Sequence, residues 1–204
     1  MTRAESQAHT QADLIDAAAR VFKRRGYEGA SIAEIADEAG YSHGAVYSNF
    51  DGKEDLFLAL YEQWVARRVA EIDATWSGKG TLAERARAAA DEWMRRLASD
   101  PAPFLLRLEL TVRAAHDRDL ERKLTTRVGA VPLAIRRLIE TVAAEERGAL
   151  PLPPEEVALA FQALSLGLAL EALTNPGAVR AGLGGDLADL LIAAPRARSG
   201  SKRA

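Results

Sequence analysis

The sequence contains no cysteine, which excludes disulfide frameworks and thiolate metal sites and suits a reducing interior. Histidine is scarce as well: only His9, His43 and His116 occur, none with a ligand partner at helical spacing, so no metal site is expected. There is no nucleophile–base signature, and the one fragment resembling a phosphate loop, SGKG at residues 77–80, lacks a preceding strand and the full glycine spacing. Neither enzymatic chemistry nor a cofactor is expected. No alternating apolar–polar run marks a strand. Long hydrophobic runs are missing too. The opening MTRAESQAHTQAD is polar, without the apolar segment of a signal peptide. The most apolar stretch, Val157 to Leu173, is interrupted by Gln162, Ser165 and Glu171 and is shorter than the roughly 20 residues of a bilayer span. A cytoplasmic protein with no membrane partner is the expectation.

Positive charge is also not in excess. The net charge is −2, and within the first 60 residues only Arg3, Arg20, Lys23, Arg24, Arg25 and Lys53 stand against ten acids. Any nucleic-acid surface must then be a local patch, helped by helix N-termini that offer backbone donors to phosphates, and two copies binding together would double its contacts.

What is present is ordinary for a soluble globular chain: 204 residues, 48% of them hydrophobic and 27% charged. That length builds one large domain or two small ones. Thr10 to Arg25 carries Leu14, Ile15, Ala18, Val21 and Phe22 at helical spacing, with Lys23, Arg24 and Arg25 in the last turn and Gly26 as the stop. Ser31 is a good N-cap with Glu34 three residues on, so a capping box should open a helix bearing Ile32, Ile35, Ala36 and Ala39. Gly40 ends it, and Ser42 caps a second short helix with Val46 and Phe50 on its inner side. Two short helices about a glycine turn, residues 31–50, read as a helix-turn-helix, whose second helix lies in the DNA major groove.

From Asp51 a long helix is expected to run to about Trp76, followed by the small-residue boundary SGKG. Beyond it the periodicity predicts helices over Thr81 to Ser99, over Asp100-Pro101 to Ala115, and over His116 to Arg147, with Pro132 either kinking or dividing this last segment. Two more cover Glu155 to Thr174 and the stretch containing Leu183, Leu187, Leu190, Leu191 and Ile192. The expectation is an all-α protein of about nine helices: a DNA-binding domain at 10–53, a linking helix at 54–76, an effector-binding and dimerisation domain at 81–194, and a disordered basic tail at 195–204.

Glu155 to Thr174 shows two apolar stripes. One is Val157, Phe161, Leu164 and Leu168; the other is Leu159, Leu166, Leu170 and Leu173. A helix apolar on both sides must be covered on both sides, and Gly167, Ala163 and Ala169 allow close approach. This helix and the last one are therefore expected to form a four-helix homodimer interface through Leu159, Leu166, Leu170, Leu173, Leu187 and Leu191. A central helix of a monomeric bundle is the competing reading.

The run Gly26-Tyr27, Ser31-Ile32-x-x-Ile35-Ala36, Ala39-Gly40-Tyr41-Ser42, Gly44-Ala45-Val46-Tyr47-x-x-Phe50, Lys53-Glu54-x-Leu56 resembles the N-terminal domain of the tetracycline-repressor (TetR) family of bacterial transcription regulators, over roughly Gln11 to Trp64. The resemblance implies that Tyr47 and Lys53 contact phosphates. Ser31 and Ser42, hydroxyl caps beside helix N-termini, suit phosphate contacts as well. Gly44 and Ala45 let the reader helix approach the base edges; the family often has threonine at the place of Ala45, so one hydroxyl contact is missing. His43 and Ser48 are the candidates for base contacts. Asn49 stands where the family frequently has histidine, and its amide suits a phosphate. Tyr47 packed on the fourth helix and Lys53 as a solvated lysine are the competing readings.

The resemblance further implies a homodimeric, ligand-responsive regulator, a repressor released from a palindromic operator in double-stranded DNA by a small-molecule effector. Trp93, Phe104, Leu108, Val112, Leu133 and Phe161 are candidates for an apolar pocket, with Arg107, Arg113, His116 and Gln162 as polar handles; the apolar bias points to a hydrophobic or aromatic effector. Against this stands ordinary core for the aromatics and a surface pair for Glu109 and Arg113. An all-helical protein-interaction module that no longer reads DNA specifically is the alternative function, supported by the acidic balance of residues 1–60.

Overall fold

The computed structural model describes residues 2–76, 80–128, 130–145, 150 and 152–193. Among them are ten helices and no strand: α1 (Arg3–Gly29), α2 (Ile32–Ala39), α3 (His43–Tyr47), α4 (Lys53–Trp76), α5 (Leu82–Ser99), α6 (Ala102–Ala114), α7 (Arg118–Val128), α8 (Ala130–Glu145), α9 (Pro154–Thr174) and α10 (Leu183–Ala193). The all-α class stands. The count exceeds nine because the segment divides into α7 and α8, with Pro132 in the first turn of α8, where a missing N–H costs nothing. The tail expected to be disordered from residue 195 lies outside the described residues.

Several helix ends differ from the sequence reading. α1 starts at Arg3, seven residues before Thr10, because Thr2 and Glu5 form a reciprocal capping box. At Ser31 the hydroxyl does accept from Glu34 N–H at 3.1 Å. Glu34 does not close a box there, since its carboxylate turns to Arg25 at 3.4 Å. Gly40 holds φ 74°, the left-handed C-terminal conformation, and its N–H reaches back to the Ala36 and Asp37 carbonyls. α6 takes Pro101 rather than Asp100 at its N-cap, and Asp117 opens α7 by accepting from the N–H groups of Asp119 and Leu120.

The helices form two compact units, Met1–Arg67 with Pro101–Gly129 and Arg68–Asp100 with Ala130–Ala204. In the first, Leu14, Val21 and Phe22 of α1, Ile35 and Ala36 of α2, Val46 of α3 and Leu56, Phe57 and Leu60 of α4 share one core with Leu106 and Leu110 of α6 and Leu120 of α7. Its aromatic centre is Phe22, Tyr27 and Phe57, with Phe57 edge-on to the other two at 5.0 and 4.9 Å. α6 and α7 therefore belong physically with the N-terminal helices. In the second unit, Leu82 and Ala86 of α5, Ile139 of α8, Val157 and Ala158 of α9 and Ala188 of α10 are the buried residues. Arg87 of α5 ties α10 down through Asp186 and Asp189.

Candidate functional site

α3 owes its exposure to its shortness. It has five residues, and Val46 alone among them is fully buried. His43, Gly44, Tyr47 and Ser48 all face solvent, and Tyr47 is 61% exposed. A tyrosine that supplied packing would not stand out this way, so its ring and hydroxyl are available to a partner. Ser42 caps α3 by accepting from Ala45 N–H at 3.2 Å. Ser31 and Ser42 thus have hydroxyls engaged at the N-termini of α2 and α3 while remaining exposed.

Two expected contact residues are turned back on their own helix. Asn49 Nδ2 donates to the Ala45 carbonyl at 2.8 Å, and Ser48 Oγ donates to the same oxygen at 2.9 Å. Asn49 Oδ1 is buried with no hydrogen-bond partner. Lys53 also departs from a solvent-facing phosphate ligand, because its Nζ points inward to the carbonyls of Tyr27, Ala30 and Glu28 at 2.9, 3.1 and 3.4 Å.

The remaining cations of this region are largely spoken for. Arg20 and Arg24 both bond Glu38, each at 2.7 Å, and these guanidiniums hold the Glu38 carboxyl below its ordinary range, Arg20 first. Arg25 pairs with Glu34. α2 thus neutralises cations of α1 that a tally of charges along the chain leaves unpaired, since residues 14 to 18 positions apart meet only through the fold.

The expected effector residues divide between the two units. Trp93 and Phe161 come together with Ala90, Met94, Leu164, Leu168 and Ala188 around a small cavity of about 10 Å³, room for roughly one water. Trp93 Nε1 donates to the Ser165 carbonyl at 3.4 Å, and the Arg68 guanidinium lies 5.4 Å from its ring centroid. Burial pushes the Arg68 pKa below its ordinary value. Gln162 is half-buried on α9. Phe104, Arg107, Leu108, Val112, Arg113 and His116 belong to the other unit. Phe104 is buried, whereas Val112 is 62% exposed and Arg107 and His116 face solvent. Glu109 and Arg113, expected as a surface pair, instead grip the end of α1: Glu109 accepts from Tyr27 N–H at 2.8 Å and Arg113 pairs with Glu28.

On α9, Leu159 is 66% exposed and Leu170 39%, while Leu166 and Leu173 are half-buried. Gly167 and Ala163 lie open between them, whereas Ala169 turns inward. On α10, Leu187 and Leu191 are half-buried, and Leu190, outside the expected set, is 67% exposed. α9 has 21 residues, longer than the Val157–Leu173 stretch, and by length and composition alone is long and apolar enough to cross a membrane.

Residues 14–60 match the model of the tetR family of bacterial regulatory proteins. The chain is 30% identical over 166 residues to the nicotine-responsive transcriptional repressor HdnoR of Paenarthrobacter nicotinovorans, covering 80% of this chain and 83% of that one. It is 27% identical over 135 residues to the transcriptional repressor AcnR of Corynebacterium efficiens; that match covers 65% of this chain and spans just under two thirds, 65%, of the repressor. The regulator FadR of Bacillus subtilis, solved in complex with stearoyl-CoA, has the same fold at a TM-score of 0.74 and 18% identity, covering 89% of this chain and 97% of that one. With an HdnoR match running far beyond the helix-turn-helix, the chain belongs to the tetR family of bacterial regulatory proteins.

Proposed function

We propose that the protein is a homodimeric, ligand-responsive repressor that binds a palindromic operator through α3. The observation that carries this reading is the exposure of His43, Gly44, Tyr47 and Ser48 around a buried Val46: a helix anchored by one side chain presents the rest to a groove. Tyr47 contacts a phosphate through its hydroxyl, Ser31 and Ser42 add contacts at helix N-termini, and His43 and Ser48 meet base edges while Gly44 and Ala45 permit close approach. Asn49 takes part once its amide N–H turns from the Ala45 carbonyl to a phosphate oxygen. Two reader helices enter successive major grooves about 34–36 Å apart.

The second copy covers the open leucines of α9 and α10. The relatives carry regulator names, so a cytoplasmic dimer is the reading we adopt. The effector is hydrophobic or aromatic and enters beside Trp93 and Phe161. A cavity of about 10 Å³ holds no such molecule, so binding must displace side chains, and a ligand that prefers the displaced form lowers DNA affinity by linkage. Nicotine responsiveness in HdnoR and stearoyl-CoA in FadR are examples of apolar or aromatic chemistry in similar proteins.

Engagement of Arg20, Arg24, Arg25 and Lys53 within the protein favours one competing reading, a protein-interaction module with a helix-turn-helix that no longer reads DNA. A gel shift with the DNA upstream of the protein's own gene separates the two. The repressor retards a fragment carrying a palindrome and ignores a scrambled one; equal retardation of both, or none, leaves the interaction module.

A further inference from the structure

Where the first helix gives way to the second, the chain is held from two sides by residues far away in sequence. Gly26 breaks α1 with φ 69°, and the next residue, Tyr27, is buried among Phe22 and Phe57. The carbonyls of Tyr27, Glu28 and Ala30 lie past this break at the C-terminal end of α1, where the last helix carbonyls have no intrahelical partner. Lys53, at the start of α4, donates to all three, and its ammonium also lies 4.5 Å from the Tyr27 ring centroid. An ammonium has three N–H donors, so its hydrogen-bonding capacity is filled inside the protein.

From α6, Glu109 accepts the Tyr27 N–H at 2.8 Å, and Arg113, one turn on, lies 4.6 Å from the Tyr27 ring centroid while pairing with Glu28. The Glu109 carboxylate sits so close that a Cβ on Gly26 would meet it at 3.2 Å. This corner ends at Ala30, directly before the Ser31 cap of α2. Its position therefore sets the start of α2 and, through the Gly40 turn, the placement of α3.

We infer that Lys53 and Glu109 are positioning residues that clamp the corner from Tyr27 to Ala30 and so hold the reader helix in place, and that Lys53 is not a phosphate ligand. The part of this that concerns DNA rests on the DNA-binding reading above; the clamp itself does not. A phosphate accepts a guanidinium as readily as an ammonium, whereas three carbonyls converging on one point suit a compact ammonium and not a planar fork. Charge-conserving substitution therefore tells the two roles apart.

The full-length variants Lys53→Met, Lys53→Arg and Glu109→Leu, each checked for a cooperative melt, are compared with the parent in two measurements. Amide hydrogen exchange is followed at Tyr27 to Ala30 without DNA, and binding to the upstream palindrome is followed by fluorescence anisotropy between about 50 and 300 mM salt. The expected result is faster exchange at the corner in all three variants, and DNA affinity at least about tenfold weaker, in the range of a lost charged hydrogen bond, with the salt slope of the parent and no rescue by arginine. Unchanged exchange at the corner overturns the clamp. A slope shallower by about 0.9 per protomer in Lys53→Met, with arginine restoring affinity, overturns the positioning role and makes Lys53 a phosphate ligand. If the parent binds no palindrome, the DNA-binding reading falls, and the exchange measurement still decides the clamp.

Discussion

Arg20 Nε lies 2.7 Å from Glu38 Oε1, and the other carboxylate oxygen of Glu38 takes Arg24 at the same distance. One acid on α2 thus occupies two cations of α1, on the domain that reads as DNA-binding. The pair is exposed enough that its contribution to folding is small, so its main consequence is for charge available to a partner.

Salt dependence of DNA binding should therefore be shallow. With Arg20, Arg24, Arg25 and Lys53 engaged within the protein, the log–log slope should fall well short of the roughly −11 that all six cations of residues 1–60 would give in a dimer. Glu38→Gln releases Arg20 and Arg24, and the slope should steepen by about 0.9 for each arginine that then reaches a phosphate. Anisotropy titrations across the salt range check this. An unchanged slope in Glu38→Gln would show that the two arginines stand away from the DNA.

Tyr47→Phe isolates one hydroxyl. The side chain is 61% exposed, so its melting temperature should equal the parent's, while operator affinity should fall roughly tenfold, about 1.4 kcal/mol, for one hydrogen bond to a charged oxygen. Equal affinity would remove Tyr47 from the set of phosphate contacts.

Leu159→Arg places a charge on the exposed face of α9, where the leucine is 66% exposed in the protomer. Sedimentation at micromolar concentration should show a dimer for the parent and a monomer for the variant. Operator affinity should drop by about a hundredfold or more, since the two reader helices would no longer be linked. A parent that sediments as a monomer rejects the interface.

Acid should weaken the fold by a small amount, in a defined window. Arg20 and Arg24 lower the pKa of Glu38, and Arg180 and then Arg87 lower that of Asp186. A carboxyl held below its unfolded value stabilises the fold above that value and loses the contribution as pH falls through the folded one. Melting temperature should be level down to the ordinary carboxylate values, 4.5 for glutamate and 3.8 for aspartate, and decline below them. Scanning calorimetry of a Glu38→Gln, Asp186→Asn double variant should show a gentler decline; an identical profile would assign the acid sensitivity to other groups.

The apolar spacing from Leu14 to Phe22, the Ser31 cap, the Gly40 turn and the Ser42 cap all act over a few residues, so composition and periodicity alone determined the helices of the reader and their order. Pattern also placed the two apolar stripes of α9, because helical geometry converts spacing directly into faces. Tertiary structure decided what no local rule reaches. It turned Lys53 into the corner, because carbonyls from residues 27–30 converge where α4 begins. It brought Glu109 to Tyr27 across 82 positions, and it set Glu38 between Arg20 and Arg24. It also split the expected effector residues, since Leu106 and Leu110 draw α6 into the N-terminal core while Trp93 packs with α9 and α10. A long polar side chain takes whichever partner the fold brings within about 3 Å, and that is settled by the packing of helices distant in the chain rather than by the residues beside it.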